Sequence, residues 1–359
     1  MVNYDFLSVY FYSVPNLRFL KFNQNYETLQ LKNTLKIKSG KDQKQVEVEN
    51  GIYNIYGTGG IIGHTNTFLY DKESVGIGRK GTIDKPVYFN QPFWTVDTLF
   101  YSEIYEGFIP KYIFYLFQTI NWKKYNTSTG VPSLTSSSIE NIEKSFPCYD
   151  EQLKVANFLT MIDMRIETQI KIIDSYFSLS KAISNTLIGQ SKGNTRLREC
   201  LNCYSSNTME SVIKQEDLGD YPVYGANGII KKINNYEIEY PSIAIVKDGS
   251  GVGKMFKLSG KYSILSTLNY LTSKPGYDID YIYYALKQKS LKKYVVGSGI
   301  PHIYFKDYEQ EKIYIPQNEL QQQNITSVLQ SIDEEIGNEI KQLKNYELLK
   351  KYLLKNMFV

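Results

Sequence analysis

The ten residues YNIYGTGGII at positions 53–62 return as YPVYGANGII at positions 221–230, an offset of 168. This repeat constrains the fold more than any composition does, because a duplicated domain keeps its register over a long distance and a chance match does not. The register holds. GIGRKG at 76–81 falls on AIVKDG at 244–249, which sets Arg79 over Lys247 and Gly81 over Gly249. TGVPSL at 129–134 falls on SGIPHI at 298–303 at an offset of 169, and Pro147 and Pro316, closing KSFP and IYIP, keep that offset. One inserted residue accounts for the drift.

Beyond each of these prolines the pattern changes from strand-like alternation to a helical period. The first segment carries Val155, Leu159, Ile162, Ile166, Ile170 and Ile173, and the second carries Ile325, Leu329, Ile332, Ile336, Ile340 and Leu343. Each member of the second set stands 170 residues after its counterpart. The steps of four, three, four, four and three average 3.6, so each set forms one stripe along a nearly straight helix. Helices are expected over 151 to about 188 and 319 to about 356, roughly 57 Å each at about 1.5 Å per residue. An apolar stripe on so long a helix must be covered, and its twin is the nearest candidate, as an antiparallel pair.

Between the helices lie short alternating runs such as ESVGIGRKG and YPSIAIVKDG, broken by Gly and Pro. They predict sheet-rich α+β domains. The organisation is then domain 1–148, helix and linker 149–190, domain 191–316 and helix 317–359, with LIGQSKGNTRLRE, which holds Gly189 and Gly193, as the linker. A chain of 359 residues exceeds what one core usually serves, which agrees with two domains. No run of about 18 apolar residues is present. The opening MVNYDFLSVYFYSVP lacks a basic lead, carries Asp5 and shows no small-residue cleavage site, so a mature cytoplasmic chain is expected. Three cysteines are too few for a disulfide framework, in keeping with a reducing compartment.

The motifs that would signal an enzyme fail on inspection. DGSGVGKM at 248–255 resembles a phosphate-cradling loop, but Asp248 takes the place of the first glycine and Met255 that of the magnesium-binding hydroxyl residue. GTGGIIG at 57–63 misses the dinucleotide fingerprint because Ile62 replaces its third glycine. Both read as turns. Cys200 and Cys203 have the spacing of half a zinc site without a second pair, and they align with Thr34 and Ile37, which suggests packing residues. The two histidines, His64 and His302, have no neighbouring nucleophile, and no metal site or cofactor is expected. The net charge of +4 permits a polyanionic partner, and the 32 tyrosines can stack on bases or fill strand faces.

Two sheet-rich domains alternating with two long helices, VGIGRKGTIDKPVYF in one half, the TGVP and SGIP turns, and proline followed by DEQLKVANFLTMID or NELQQQNITSVLQSID resemble the specificity subunit of type I restriction-modification systems. The resemblance spans both halves. It implies that the two domains are target-recognition domains, each reading one half of a split site in double-stranded DNA. The paired helices would act as a ruler and as a docking surface for two modification subunits, which carry the S-adenosylmethionine chemistry. Restriction subunits with translocase and nuclease activity can join them, and the chain itself would be non-catalytic. Lys and Arg beside glycine-rich turns suit phosphates, and Asn, Ser, Thr, Arg and His suit base edges. The candidates are Arg79, Lys80, Thr82, Asn126, Thr127, Ser128 and Thr129 in the first domain, and Asn227, Lys231, Lys247, Ser250, Lys292, Lys293 and His302 in the second. The reading from another class is an adaptor whose duplicated domains hold protein ligands.

Overall fold

The computed structural model describes residues 14–213 and 219–359. The opening stretch read above as a mature N-terminus lies, for its first 13 residues, outside the described part. The chain divides into two compact units, one running to Ile170 and including Lys341–Val359, the other comprising Lys171–Ile340.

The first unit contains two four-stranded sheets. One has the order Leu35–Ser39, Leu99–Ile104, Ser74–Gly78, Val87–Phe89 and is antiparallel throughout. The other has the order Glu47–Val48, Gly60–Thr65, Tyr53–Gly57, Phe93–Thr95, with only the last pair parallel. The second unit repeats this plan: Leu201–Ser205, Leu268–Ser273, Ser242–Val246, Met255–Leu258 in one sheet, and Gly228–Ile233, Tyr221–Gly225, Ser263–Ile264 in the other. Again the last pair is parallel. The α+β expectation holds in both halves, and both glycine-rich motifs that mimic nucleotide loops are turns between antiparallel strands.

Two long helices, Tyr149–Ser184 and Glu319–Met357, begin just after Pro147 and Pro316. In each, a buried glutamine closes the junction: Gln152 Nε2 donates to Pro147 O at 3.0 Å and Gln322 Nε2 to Pro316 O at 2.9 Å. Both carry acid in the first turn and lysine in the last, matching the helix dipole. The first helix passes at Ser184 into a π-helical turn, Asn185–Gly189, so the helical stretch ends close to the 188 expected. Ile188 on that turn is buried, so the segment belongs to a core, and the connecting stretch starts beyond it.

The stripes are covered by the domain cores as well as by the twin helix. Val155 and Leu159 enter the core of the first unit against Tyr112, Ile113 and Leu116 of helix Pro110–Thr119. The far end of the second long helix supplies Leu353 and Met357, and Phe358 just beyond it, to that same core. The second unit mirrors this, with Ile325 and Leu329 packed on Tyr281, Ile282 and Ala285 of helix Ile279–Lys287, and Ile183 and Ile188 contributed by the end of the first long helix. Each unit therefore contains the start of one helix and the end of the other, running antiparallel. Lys350 Nζ, 2.7 Å from Asp163 Oδ1, ties the two within the first unit. Further along the stripe Ile173 and Ile336 are buried, and Ile162, Ile166, Ile332 and Leu343 are half-buried. Ile170 and Ile340 depart from the stripe, at 43% and 47% exposed. They are repeat equivalents, standing where one unit gives way to the other.

Candidate nucleic-acid interface

Strand Ser74–Gly78 is buried along its length and ends in a loop, residues 79–82, that two other segments pin. Arg79 and Lys80 donate their backbone N–H groups to Thr98 O at 2.7 and 3.2 Å. From the opposite side Leu134 N–H donates to Arg79 O, and Gly81 N–H donates to Pro132 O, both at 2.9 Å. Gly81 takes φ +85°, a left-handed conformation that costs a side-chain-bearing residue but not glycine. The TGVP turn predicted from sequence is thus fastened directly to the basic loop. Arg79, Lys80, Thr127, Ser133 and Ser136 line a shared cleft of about 310 Å³.

The second unit builds the same clamp at the repeat offset. Lys247 and Asp248 donate to Thr267 O at 2.9 and 3.3 Å, Ile303 N–H donates to Lys247 O at 2.9 Å, and Gly249 N–H donates to Pro301 O at 2.8 Å. Gly249 takes φ +92°. His302 pairs through its backbone with Val296 and stacks edge-on against Tyr304, 5.0 Å between ring centroids. Lys247 and His302 therefore come together as the first unit brings together Arg79 and Ser133.

The remaining sequence candidates differ in how far local contacts hold them. Asn126 is exposed, yet its side chain organises its own loop: Oδ1 accepts from the N–H groups of Ser128 and Ser133 at 3.1 and 2.9 Å, and Nδ2 donates to Ser128 O at 2.8 Å. Thr127 and Ser128 sit in that loop, Thr127 donating to Ser133 O at 3.2 Å, while Thr129 is exposed at its tip. Thr82 is half-buried at the end of the basic loop. Lys293 ion-pairs with Glu311 at 2.7 Å and lies over the Tyr294 ring, and the Lys293 ammonium in turn holds the Glu311 carboxyl below its usual range. Lys292 is exposed on the same turn, and Ser250 is exposed in the loop beside Lys247. Lys231 is half-buried within strand Gly228–Ile233.

Asn227, at the hairpin turn, accepts from Lys254 Nζ at 3.2 Å. Lys254 is not among the sequence candidates, because its reach toward Asn227 crosses 27 positions and leaves no local signal. Burial pushes the Cys200 thiol up to about 12 and the Cys203 thiol up to about 11, so neither is a thiolate near neutrality. Among the described residues no group of three or more His, Cys, Asp or Glu side chains is placed to hold a metal, and no helix is long and apolar enough to cross a membrane.

Two pinned basic loops at equivalent places in two domains match what comparison finds. The type I restriction modification DNA specificity domain matches this chain twice, over residues 23–174 and 195–345. The chain belongs to this specificity family. Each match runs from the strands of one half into the long helix that follows, so the family's unit includes the helix as well as the sheets. Among curated relatives, the specificity subunit of the type I restriction enzyme MjaVIII from Methanocaldococcus jannaschii is 34% identical over 169 residues, covering 43% of this chain and 39% of that protein. The chain thus spans well under half the length of that relative. Among solved structures, the S subunit of a type I restriction-modification system from M. genitalium aligns with a TM-score of 0.72 at 18% identity, over 97% of this chain and 99% of the other. A chain from a study of complex assembly and conformational transition in the type I system aligns at 0.51 and 11% identity, over 92% and 97%. At these identities the two structures speak to the fold, which the specificity chain shares.

Proposed function

We propose that this specificity chain is the non-catalytic DNA-reading component of a cytoplasmic type I restriction-modification assembly, each domain reading one half of a bipartite site in double-stranded DNA. The observation that carries the proposal is the duplicated clamp, which presents Arg79 and Lys80 in one unit and Lys247 and His302 in the other on loops held by the same hydrogen bonds. Phosphate contacts from such lysines and arginines position a duplex, and the exposed Thr and Ser residues beside them can reach base edges. The long helices dock two modification subunits, which supply the methyl-transfer chemistry, and a restriction subunit can join. Salt dependence separates this reading from a protein-binding adaptor. Binding to site DNA by the chain with its modification subunits should weaken steeply with salt, and Lys80→Ala should lower the log–log slope by about 1. A flat salt response would overturn DNA reading.

Changing Thr127, Ser128 and Thr129 together should relax one half of the modified motif while the letters of the other half persist. Each lost base contact is worth about 1–3 kcal/mol of discrimination. Genome-wide mapping of modified bases reads this directly, and equal blurring of both halves would count against one reader per domain.

The helices set the gap between half-sites in this proposal. An insertion between Ile183 and Gly189 would disturb Ile183 and Ile188, which pack in the second unit, so the insertion belongs after Ile170 and after Ile340 instead. Four helix-forming residues added at both places lengthen each helix by about 6 Å and turn it by about 40°. At about 3.4 Å per base pair the unread spacer should grow by one or two positions. An active variant with its original spacer would refute the ruler.

A further inference from the structure

The repeated phrase that opens the sequence is not absorbed by the clamp. It forms the hairpins Tyr53–Gly57 with Gly60–Thr65 and Tyr221–Gly225 with Gly228–Ile233, and both carry the same irregularity. Tyr56 faces Ile61 and Ile55 faces Gly63, leaving Ile62 as the extra residue of a β-bulge. Tyr224 faces Ile229 and Val223 faces Lys231, leaving Ile230 in the same place. A bulge breaks strand alternation and re-aims side chains. Here it leaves two consecutive isoleucines open to solvent in each copy, at 55% and 50% for Ile61 and Ile62 and at 57% and 41% for Ile229 and Ile230. The glycines of the phrase permit this arrangement. Gly60 and Gly228 take φ +120° and +106°, and a Cβ on Gly57 or Gly225 would come within 3.3 or 3.0 Å of Cγ2 of Ile62 or Ile230, which lies over it.

Each tip stands beside the basic loop of its own unit. A Cβ on Gly81 would lie 4.0 Å from Thr58 Oγ1 at the first hairpin turn. At the second, Ala226 Cβ would lie 3.4 Å from a Cβ on Gly251, and Lys254 Nζ reaches Asn227. His64 follows the first isoleucine pair on its strand, and Lys231 and Lys232 follow the second. Apolar side chains would therefore meet the same surface as Arg79, Lys80 and Lys247.

We propose that Ile61 and Ile229, backed by Ile62 and Ile230, are apolar wedges that press against the bases of each half-site when the duplex lies on the basic loops. This rests on the DNA-reading function proposed above. The size of the feature decides between DNA and a protein partner: a stable protein interface takes about 20–30 residues a side, whereas one or two aliphatic side chains suffice to unstack a base step. Because the pair is identical in the two copies while the turn residues differ, Thr58 and Gly59 against Ala226 and Asn227, the wedge serves both half-sites alike. Discrimination falls to the differing residues around it.

The test uses the full chain assembled with its modification subunits and a duplex carrying the modified motif. Ile61→Ala and Ile229→Ala should each weaken binding roughly tenfold, with the salt slope and the motif unchanged, because an apolar contact releases no counterions. Ile61→Leu and Ile229→Leu should restore binding. A base analogue that brightens on unstacking, placed in each half-site, should lose its signal only on the side of the alanine. Wild-type affinity in the double alanine variant would overturn the wedge while leaving DNA reading intact. Failure of that variant to assemble with modification subunits in the absence of DNA would assign the tips to protein docking and overturn it equally. A wild-type assembly without salt-dependent binding would instead remove the functional reading beneath it.

Discussion

Deleting residues 351–359 is expected to unfold the first unit and leave the second standing. The second long helix begins in the second unit but ends by burying Leu353, Met357 and Phe358 in the first, where the Phe358 ring lies 5.0 Å from that of Tyr112. The same end is tied at the backbone, since Leu17 N–H donates to Asn356 O at 2.8 Å and Lys144 Nζ donates to Val359 O at 3.1 Å. Removing a large buried side chain costs about 2–5 kcal/mol, so three together remove about 6–15 kcal/mol. That equals the whole stability of an ordinary domain, about 5–15 kcal/mol. Hydrogen exchange resolved along the chain should show strands Leu35–Ser39 and Leu99–Ile104 losing protection while Leu201–Ser205 and Leu268–Ser273 keep theirs. Undiminished protection in the first pair would mean that each domain is complete without the other half's helix.

Arg18→Ala is expected to destabilise the first unit by about 3–5 kcal/mol, the cost of stranding a buried charge. Glu151 is buried at the start of the first long helix, and Arg18 grips it with two hydrogen bonds, Nε to Oε1 at 2.8 Å and Nη2 to Oε2 at 2.7 Å. Tyr26 completes the site by donating its hydroxyl to Oε1 at 3.1 Å, and burial together with Glu151 raises its phenol pKa so that it remains a donor. Replacing Arg18 and Glu151 together by apolar residues of similar size should recover most of the loss, because no unpaired charge remains. The repeat equivalent of Glu151 is Gln321, which is exposed, so the second unit should melt as before. Urea unfolding followed separately for each unit measures this, and an equal shift in both would contradict it.

The helical stripes were legible because burial of a helix follows a period that local sequence carries, and Val155, Leu159, Ile325 and Leu329 are buried as their spacing demands. The repeat made the equivalence of the two basic loops legible, since Arg79 and Lys247 occupy one position in two copies of one design. Contacts between residues far apart in the chain left no such signal. Asn126 holds the Ser133 backbone and Lys293 pairs with Glu311, 7 and 18 positions away, contacts that local sequence does not announce. Arg18 and Glu151, 133 positions apart, gave no signal.

The duplication is written in the chain as phrases recurring at a nearly fixed offset, and the sheet-rich domains, the start of each long helix and the glycines that turn the basic loops are legible because each depends on residues within a few positions of one another. That each helix ends in the core opposite its own, that the bulged isoleucines face solvent and that the TGVP and SGIP turns clamp the loops emerges only when distant segments pack. Periodicity specifies which face of an element is buried, but the partner that buries it is chosen by the packing of segments far apart in the chain.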